Sequence, residues 1–282
     1  MSSLTPNTHS DERPPFASML KSWREDRKQS QLDLSLTAGI SQRHLSYLEL
    51  GRAQPSREMV NQLAEALDIP LRERNVLHTA AGFAPLYRER GLDDAAMSAI
   101  RQALDLQLKH HEPFPALVLD RAWTVLSGNA AVARVFGLFG PIGQWWEEVC
   151  PQSPHNVLKM LLHPKGMRPF ISNWHEAAPA LLSRLRREAE SQGIEKLRML
   201  LKELLAYPDI PPEWRVARWS APPPPVVALE FRKDDLRLNL FTMISTFGTP
   251  QDITTDEIRV ELFYPADEGS ATLMRQLHAE HP

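Results

Sequence analysis

The stretch from Ser30 to Arg52, SQLDLSLTAGISQRHLSYLELGR, constrains the fold of this chain more than any other. Ser30 is suited to cap a helix, because its hydroxyl can accept from a first-turn N–H that has no partner inside the helix. Asp33 adds negative charge to the same turn, where the helix dipole favours it. Leu32 and Leu36 lie one turn apart and are expected on the inner face, with Ser35 small where two helices cross closely. Gly39 ends this helix, since the residue there enters the left-handed region without a Cβ penalty. Ser41 caps a second helix whose Leu45 and Leu48 face back toward the first, and Gly51 ends it. Two capped helices of about eight residues, joined by a short glycine turn, form a tight corner.

Further helices surround the corner. Phe16, Leu20 and Trp23 fall at i, i+4 and i+7, one stripe of a helix. Ser56 caps another helix with Met59, Leu63 and Leu67 inward, and Gly82 ends a fifth. Residues 15–84 are therefore expected to form an all-α five-helix domain, preceded over 1–14 by a disordered tail.

The outer face of the second motif helix carries the chemistry. Gln42, Arg43 and His44 open it and Tyr47 follows one turn on, all side chains that can hydrogen-bond base edges. A merely solvated face more commonly carries Glu and Lys. Together with the string HLSYLELGRAQPS, this segment resembles the XRE/Cro-type helix-turn-helix family of bacterial and phage regulators, over about residues 16–82. The resemblance implies a recognition helix over 41–50 in the major groove of an operator in double-stranded DNA. Ser41, Gln42, Arg43, His44 and Tyr47 would face the duplex, with Gln31 and Arg52 on backbone phosphates. Glu49 reads differently, as half of a structural salt bridge to Arg24 or Arg27.

Charge sharpens that expectation. The 282 residues suggest two domains, and the net charge is -3. Residues 1–91 hold 12 Lys and Arg against 11 Asp and Glu, so this domain cannot coat DNA by charge alone. A few phosphate contacts give weak, salt-dependent binding, and one helix reads only a few base pairs at about 1–3 kcal/mol each. A homodimer doubles both contributions and is the expected state.

A second region opens after Pro85 with a helical stretch from Asp93 to His110, stopped by Pro113 and Pro115. Residues 116–120 and 122–126 read as two short strands, and Asn129 starts a helix. Residues 145–206 look helical in pieces, broken by Pro151, Pro154, Pro164 and Pro169. Pro222 to Pro225 form a stiff connector. Strands are expected over 226–232, 237–247 and 257–264, and a last helix over 269–278, which makes the whole chain α+β.

The stretch 113–131, with strand, Asp-containing turn, strand and Asn-started helix, resembles the opening of PAS-like sensor domains. His163–Pro169, Asn173-Trp174, Phe247–Asp252 and Glu261–Asp267 resemble the MmyB-like ligand-binding domain. These resemblances imply a PAS-like ligand-binding and dimerisation domain over 92–282 and a small-molecule effector. Trp123, Phe136, Met167, Phe170 and Trp174 are core residues or the walls of an apolar cavity. Asn129 is the expected cap, Arg168 the candidate anchor for a carboxylate, and Asn173 a further polar contact. They point to an apolar or amphipathic, fatty-acid-like effector.

Other classes find little support. No G-x-S-x-G elbow, P-loop, G-x-G-x-x-G or H-E-x-x-H occurs, so neither catalysis nor a cofactor is expected. His110, His111, His155, His163 and His175 are not spaced as a metal set. Cys150 has Glu147 and Glu148 for neighbours rather than a base. No run of about 18 apolar residues marks a membrane span. The polar, acidic start and single cysteine fit a reducing cytoplasm. Two alternatives stay open: a constitutive repressor whose second domain only dimerises, and a small-molecule-binding protein or enzyme whose helix-turn-helix contacts protein.

Overall fold

Ser30 and Asp33 close a reciprocal capping box: the Asp33 N–H donates to Ser30 Oγ at 3.1 Å and the Ser30 N–H to Asp33 Oδ2 at 3.0 Å. The computed structural model describes residues 16–192, 194–208, 210–215 and 226–280; the expected tail over 1–14 and the Pro222–Pro225 connector lie outside them. The chain divides between Arg88 and Glu89 into two compact units.

The first unit contains α1 (Phe16–Asp26), α2 (Gln31–Thr37), α3 (Gln42–Glu49), α4 (Arg57–Ala66) and α5 (Leu71–Ala80). Ser41 Oγ accepts from the His44 N–H and Ser56 Oγ from the Met59 N–H, both at 3.1 Å, so α3 and α4 begin where their caps stand. Gly39 and Gly51 adopt φ +67°, the left-handed turn that stops α2 and α3. Leu20, Leu34, Leu45, Leu48, Val60, Leu63 and Leu77 are sealed from solvent in one core with Phe16 and Trp23.

One expectation is overturned. Leu32 and Leu36 are 51% and 73% exposed, and Leu34, Ser35 and Ala38 face inward. Three leucines at i, i+2 and i+4 cannot share one face of a helix, because Leu32 and Leu36 stand about 160° around the axis from Leu34. The stripe of Leu34 and Ala38 took the inner face. On α4, Val60 joins Leu63 and Leu67 inside, while Met59 is half-buried.

The second unit begins with a 3-10 turn (Ala95–Met97) and α6 (Ser98–His111). There follow β1 (Ala116–Leu119), β2 (Val125–Gly128), α7 (Ala130–Gly137), α8 (Ile142–Val149) and α9 (Val157–Leu162). The two longest helices of the middle are α10 (Trp174–Gln192) and α11 (Glu195–Leu205). The unit closes with β3 (Leu229–Lys233), β4 (Leu236–Thr246), α12 (Ile253–Glu257), β5 (Arg259–Pro265) and α13 (Glu268–Glu280). The strands pair antiparallel in the order β2-β1-β5-β4-β3, so the last strand closes against the first. This is the α+β, PAS-like architecture the sequence implies.

Alternation along the strands sorts two cores. Leu117, Leu119, Phe231, Leu238, Leu240 and Phe263 pack with residues of α7, α9, α10 and α11, while Ala116, Val118, Val260 and Leu262 pack with Leu104 and Leu108 of α6. The expected strand at Glu257 starts two residues later. Asp252 Oδ1 accepts from the Thr254 N–H at 3.0 Å, and that cap winds Ile253–Glu257 into a short helix.

Two buried histidines make this fold sensitive to acid. His78 is sealed from solvent, with Nε2 2.7 Å from Asn61 Oδ1. His111 Nε2 donates to the Phe263 carbonyl at 2.9 Å, tying α6 to β5. Burial holds both below the ordinary histidine range. The unfolded chain therefore takes up these protons first as pH falls, and stability is lost below about pH 6.5. The thermal midpoint is expected to drop between pH 7.5 and 5.5, and His111→Gln, which keeps a donor but cannot titrate, should shrink the drop. An equal drop in that variant would exclude His111 as a source.

Candidate nucleic-acid interface and ligand cavity

Leu45 and Leu48, on the inner side of α3, are sealed from solvent, and a buried ion pair fixes the end of the helix. Arg24 on α1 donates through Nε to Glu49 Oε1 at 2.6 Å and through Nη2 to Glu49 Oε2 at 3.0 Å. Gln31 Nε2 adds a third bond to Glu49 Oε2 at 2.8 Å. The hydrogen bond to Glu49 raises the Arg24 pKa further, so the cation persists at any working pH. Of the two partners open to Glu49, Arg24 is the one. Arg27 instead donates to the carbonyls of Leu67 and Asp68, both at 2.9 Å, where α4 ends.

With Glu49 turned inward, the outer face of α3 is left to polar and basic groups. Ser41, Gln42 and Arg43 are exposed, His44 is half-buried, and Tyr47 lies at the edge of exposure. Arg43 donates through Nε and Nη2 to Tyr47 Oη at 3.2 and 3.1 Å, with its guanidinium 5.4 Å from the ring centre. Arg52 follows Gly51 on an exposed turn, where its backbone N–H donates to the Tyr47 carbonyl at 2.8 Å and so wraps the chain over the end of α3. Gln31 sits at the start of α2 with its amide nitrogen already committed to Glu49.

A cavity of about 340 Å³ opens in the second unit between α10 and the inner face of the sheet. Leu161, Leu181, Leu240 and Phe263 supply apolar wall, and Trp123, Arg184, Arg187 and Glu261 supply indole, cations and a carboxylate. Trp123 is buried at a positive φ of 66° and donates through Nε1 to Glu188 Oε2 at 2.9 Å. The guanidinium groups of Arg184 and Arg259 lie 4.2 and 4.0 Å from its ring centre, a doubled cation–π contact. Glu188 accepts from both arginines, and Arg184 Nη1 also reaches Glu261 Oε1 at 3.4 Å. Burial lowers the Arg259 pKa, and Glu188 works against that shift.

Trp123 alone among the eight expected ligand residues lines this cavity. Asn129 stands at the start of α7 but makes no cap bond there; its Oδ1 accepts from the Ala116 N–H and its Nδ2 donates to the Phe114 carbonyl. Glu112 Oε1 provides the cap, accepting from the Ala131 N–H at 3.1 Å. Arg168 donates to the Pro208 carbonyl at 2.6 Å and lies 4.6 Å over the Trp174 ring. Asn173 bridges to β3, accepting from the Glu230 N–H and donating to the Ala228 carbonyl. Phe136 packs edge-on against Phe231 and Phe263, Phe170 lies against Phe139 and Trp145, Trp174 meets Trp214, and Met167 is buried.

The polar members of that set staple loops because each found a backbone group opposite, which local sequence does not display. Arg184, Glu188, Arg259 and Glu261 were missed because they come together from α10 and β5. A signal existed in β5: Glu261 interrupts the run Val260-Glu-Leu-Phe263 on a strand buried on both faces. Among the described residues, no group of His, Cys, Asp and Glu is arranged to hold a metal, and no helix is long and apolar enough to cross a membrane.

Two family models match the chain. One, described as MmyB-like transcription regulator ligand binding domain, covers residues 100–277, more than half of the sequence. The other, described as helix-turn-helix, covers residues 20–74. No curated protein matches the chain.

The Glu49 side chain is only 3% exposed, so Glu49→Ala would leave the Arg24 guanidinium buried without its counter-charge. A cost of about 3 kcal/mol to the first unit is expected in chemical denaturation, against little change in the second unit's transition. A loss below about 0.5 kcal/mol, the range of ordinary surface substitutions, would show the pair to be dispensable.

Proposed function

The chain belongs to the MmyB-like transcription regulators, DNA-binding regulators with a ligand-binding domain, and from that premise we propose that α3 reads the major groove while the Trp123 cavity senses a small amphipathic molecule. The observation that carries the DNA reading is the outer face of α3. Gln42, Arg43, His44 and Tyr47 project there while Glu49, the acidic residue of that helix, is neutralised inside. Ser41 and Arg52 flank this edge, and Gln31 stands at the start of the neighbouring helix.

Arg43 is suited to base edges and Arg52 to phosphate, which separates their effects. On a selected operator, Arg43→Ala should flatten sequence discrimination. Arg52→Ala should weaken all sequences alike and reduce the salt dependence by about one phosphate contact. The reverse pattern in a quantitative binding assay would refute the assignment. A single α3 reads too few base pairs to select a genomic site, so the proposed active form is a homodimer on a two-fold operator.

The cavity volume falls in the range of about 300–1,000 Å³ typical of small-molecule sites. Its apolar wall with Arg184 and the exposed Arg187 suits a fatty-acid-like effector, whose tail would lie along Leu161, Leu181 and Leu240. Such an effector acts by binding DNA-competent and DNA-incompetent arrangements unequally. Titration with saturated fatty acids of increasing length should quench Trp123 fluorescence and change operator affinity. Ala180→Phe, which fills the cavity, should abolish both responses and leave ligand-free operator affinity as it was. An unchanged operator response in that variant would move the sensing site elsewhere. No response to any fatty acid by the unsubstituted protein would instead favour a second domain that only dimerises.

A further inference from the structure

The contact between Arg43 and Tyr47 specifies more than two adjacent polar groups. A guanidinium has two edges that can donate in parallel: one formed by Nε and Nη2, the other by Nη1 and Nη2. Here the first is closed, because Nε and Nη2 both donate to Tyr47 Oη, at 3.2 and 3.1 Å. The ring centre lies 5.4 Å from the guanidinium carbon, so the two side chains also make a cation–π contact along one face of α3. The second edge is left pointing away from Tyr47.

A competing carboxylate would spoil this arrangement, and α3 carries only one. Glu49 is held by Arg24 and by Gln31, so it does not draw Arg43 back along the helix. The hydroxyl of Tyr47 accepts both N–H groups of Arg43 and keeps one O–H to donate.

We infer that Tyr47 is a positioning residue that holds Arg43 end-on, and that the base read by Arg43 is guanine. Guanine shows two acceptors, O6 and N7, in the major groove, matching two parallel N–H donors. Adenine shows an acceptor and a donor, so the same edge meets one of its groups in conflict. Pre-ordering matters because a free arginine gives up rotamer freedom on binding, and an arginine already braced by Tyr47 gives up less. This rests on α3 reading bases, as proposed above.

Sequence selection from a random duplex pool, followed by binding to single-base variants of the selected site, tests the inference with the full-length protein. The unsubstituted chain should require guanine at one position in each half-site. Tyr47→Phe keeps the ring and removes the acceptor; it should reduce the preference for guanine at that position by about 3- to 10-fold and leave other positions unchanged. Arg43→Ala should reduce it by about 10- to 100-fold. In the double variant Tyr47→Phe should add nothing, because its effect passes through Arg43. If Tyr47→Phe leaves the guanine preference intact, or alters a different position, the positioning role is overturned. If Arg43→Ala changes no base preference at all, the base-reading assignment of α3 fails first. The folding transition of Tyr47→Phe should match that of the unsubstituted chain, which separates lost positioning from lost structure.

Discussion

The Arg24–Glu49 ion pair is the contact on which the first unit turns. It joins α1 to the end of α3 across 25 residues of chain, and it recruits Gln31 at the start of α2. A buried pair of this kind is not a strong source of net stability, because desolvating both charges consumes much of the Coulombic gain. Its value lies in what it forbids. Rotating α3 about its axis, or sliding it along α1, would leave a carboxylate and a guanidinium buried apart from each other. The outward orientation of Arg43 and Tyr47, which stand about 120° and 160° around the axis from Glu49, is therefore tied to a contact on another side of the same helix.

The second unit uses buried charge differently. Trp123 is clasped by Arg184 and Arg259, and Glu188 ties both cations and the indole N–H into one network. Two cations, Glu188 and the nearby Glu261 come close to local neutrality, which is what allows Arg184 and Glu261 to line a largely apolar cavity. Networks of this type polarise one another and are costly to leave half-satisfied. An anionic molecule entering beside Arg184 would compete with Glu261 for it, so on the proposed reading occupancy of the cavity and the state of β5 are linked.

Much of this molecule was legible before any coordinates. Ser30, Ser41 and Ser56 each cap the helix expected to follow them, and Gly39 and Gly51 turn left-handed where α2 and α3 stop. These signals are local: a hydroxyl three residues from an orphan N–H, or a missing Cβ at a strained turn, acts whatever else surrounds it. Four of the strands were visible for a related reason, since apolar runs bounded by proline or by charged turns mark strands from within their own span; β2 begins three residues beyond the expected start at Ala122, because the turn carries through Trp123 at its positive φ. The phase of α2 was not visible. Leu32, Leu34 and Leu36 offered two opposite faces, and packing against the rest of the core chose the one with Leu34.

By itself, then, the sequence determined where the helices of the first unit begin and end, that the chain carries a corner with a polar outer edge, and that a domain of strands and helices follows. Tertiary structure alone decided which polar side chains are available. Asn129, Arg168 and Asn173 look like ligand contacts in a string of letters, yet each is used up on a backbone group brought to it from another element or loop. Arg184, Glu188, Arg259 and Glu261 look unremarkable in theirs, yet α10 and β5 gather them around one indole. A hydrogen bond of about 3 Å is a statement about two places in the chain at once, and the linear order records only one of them.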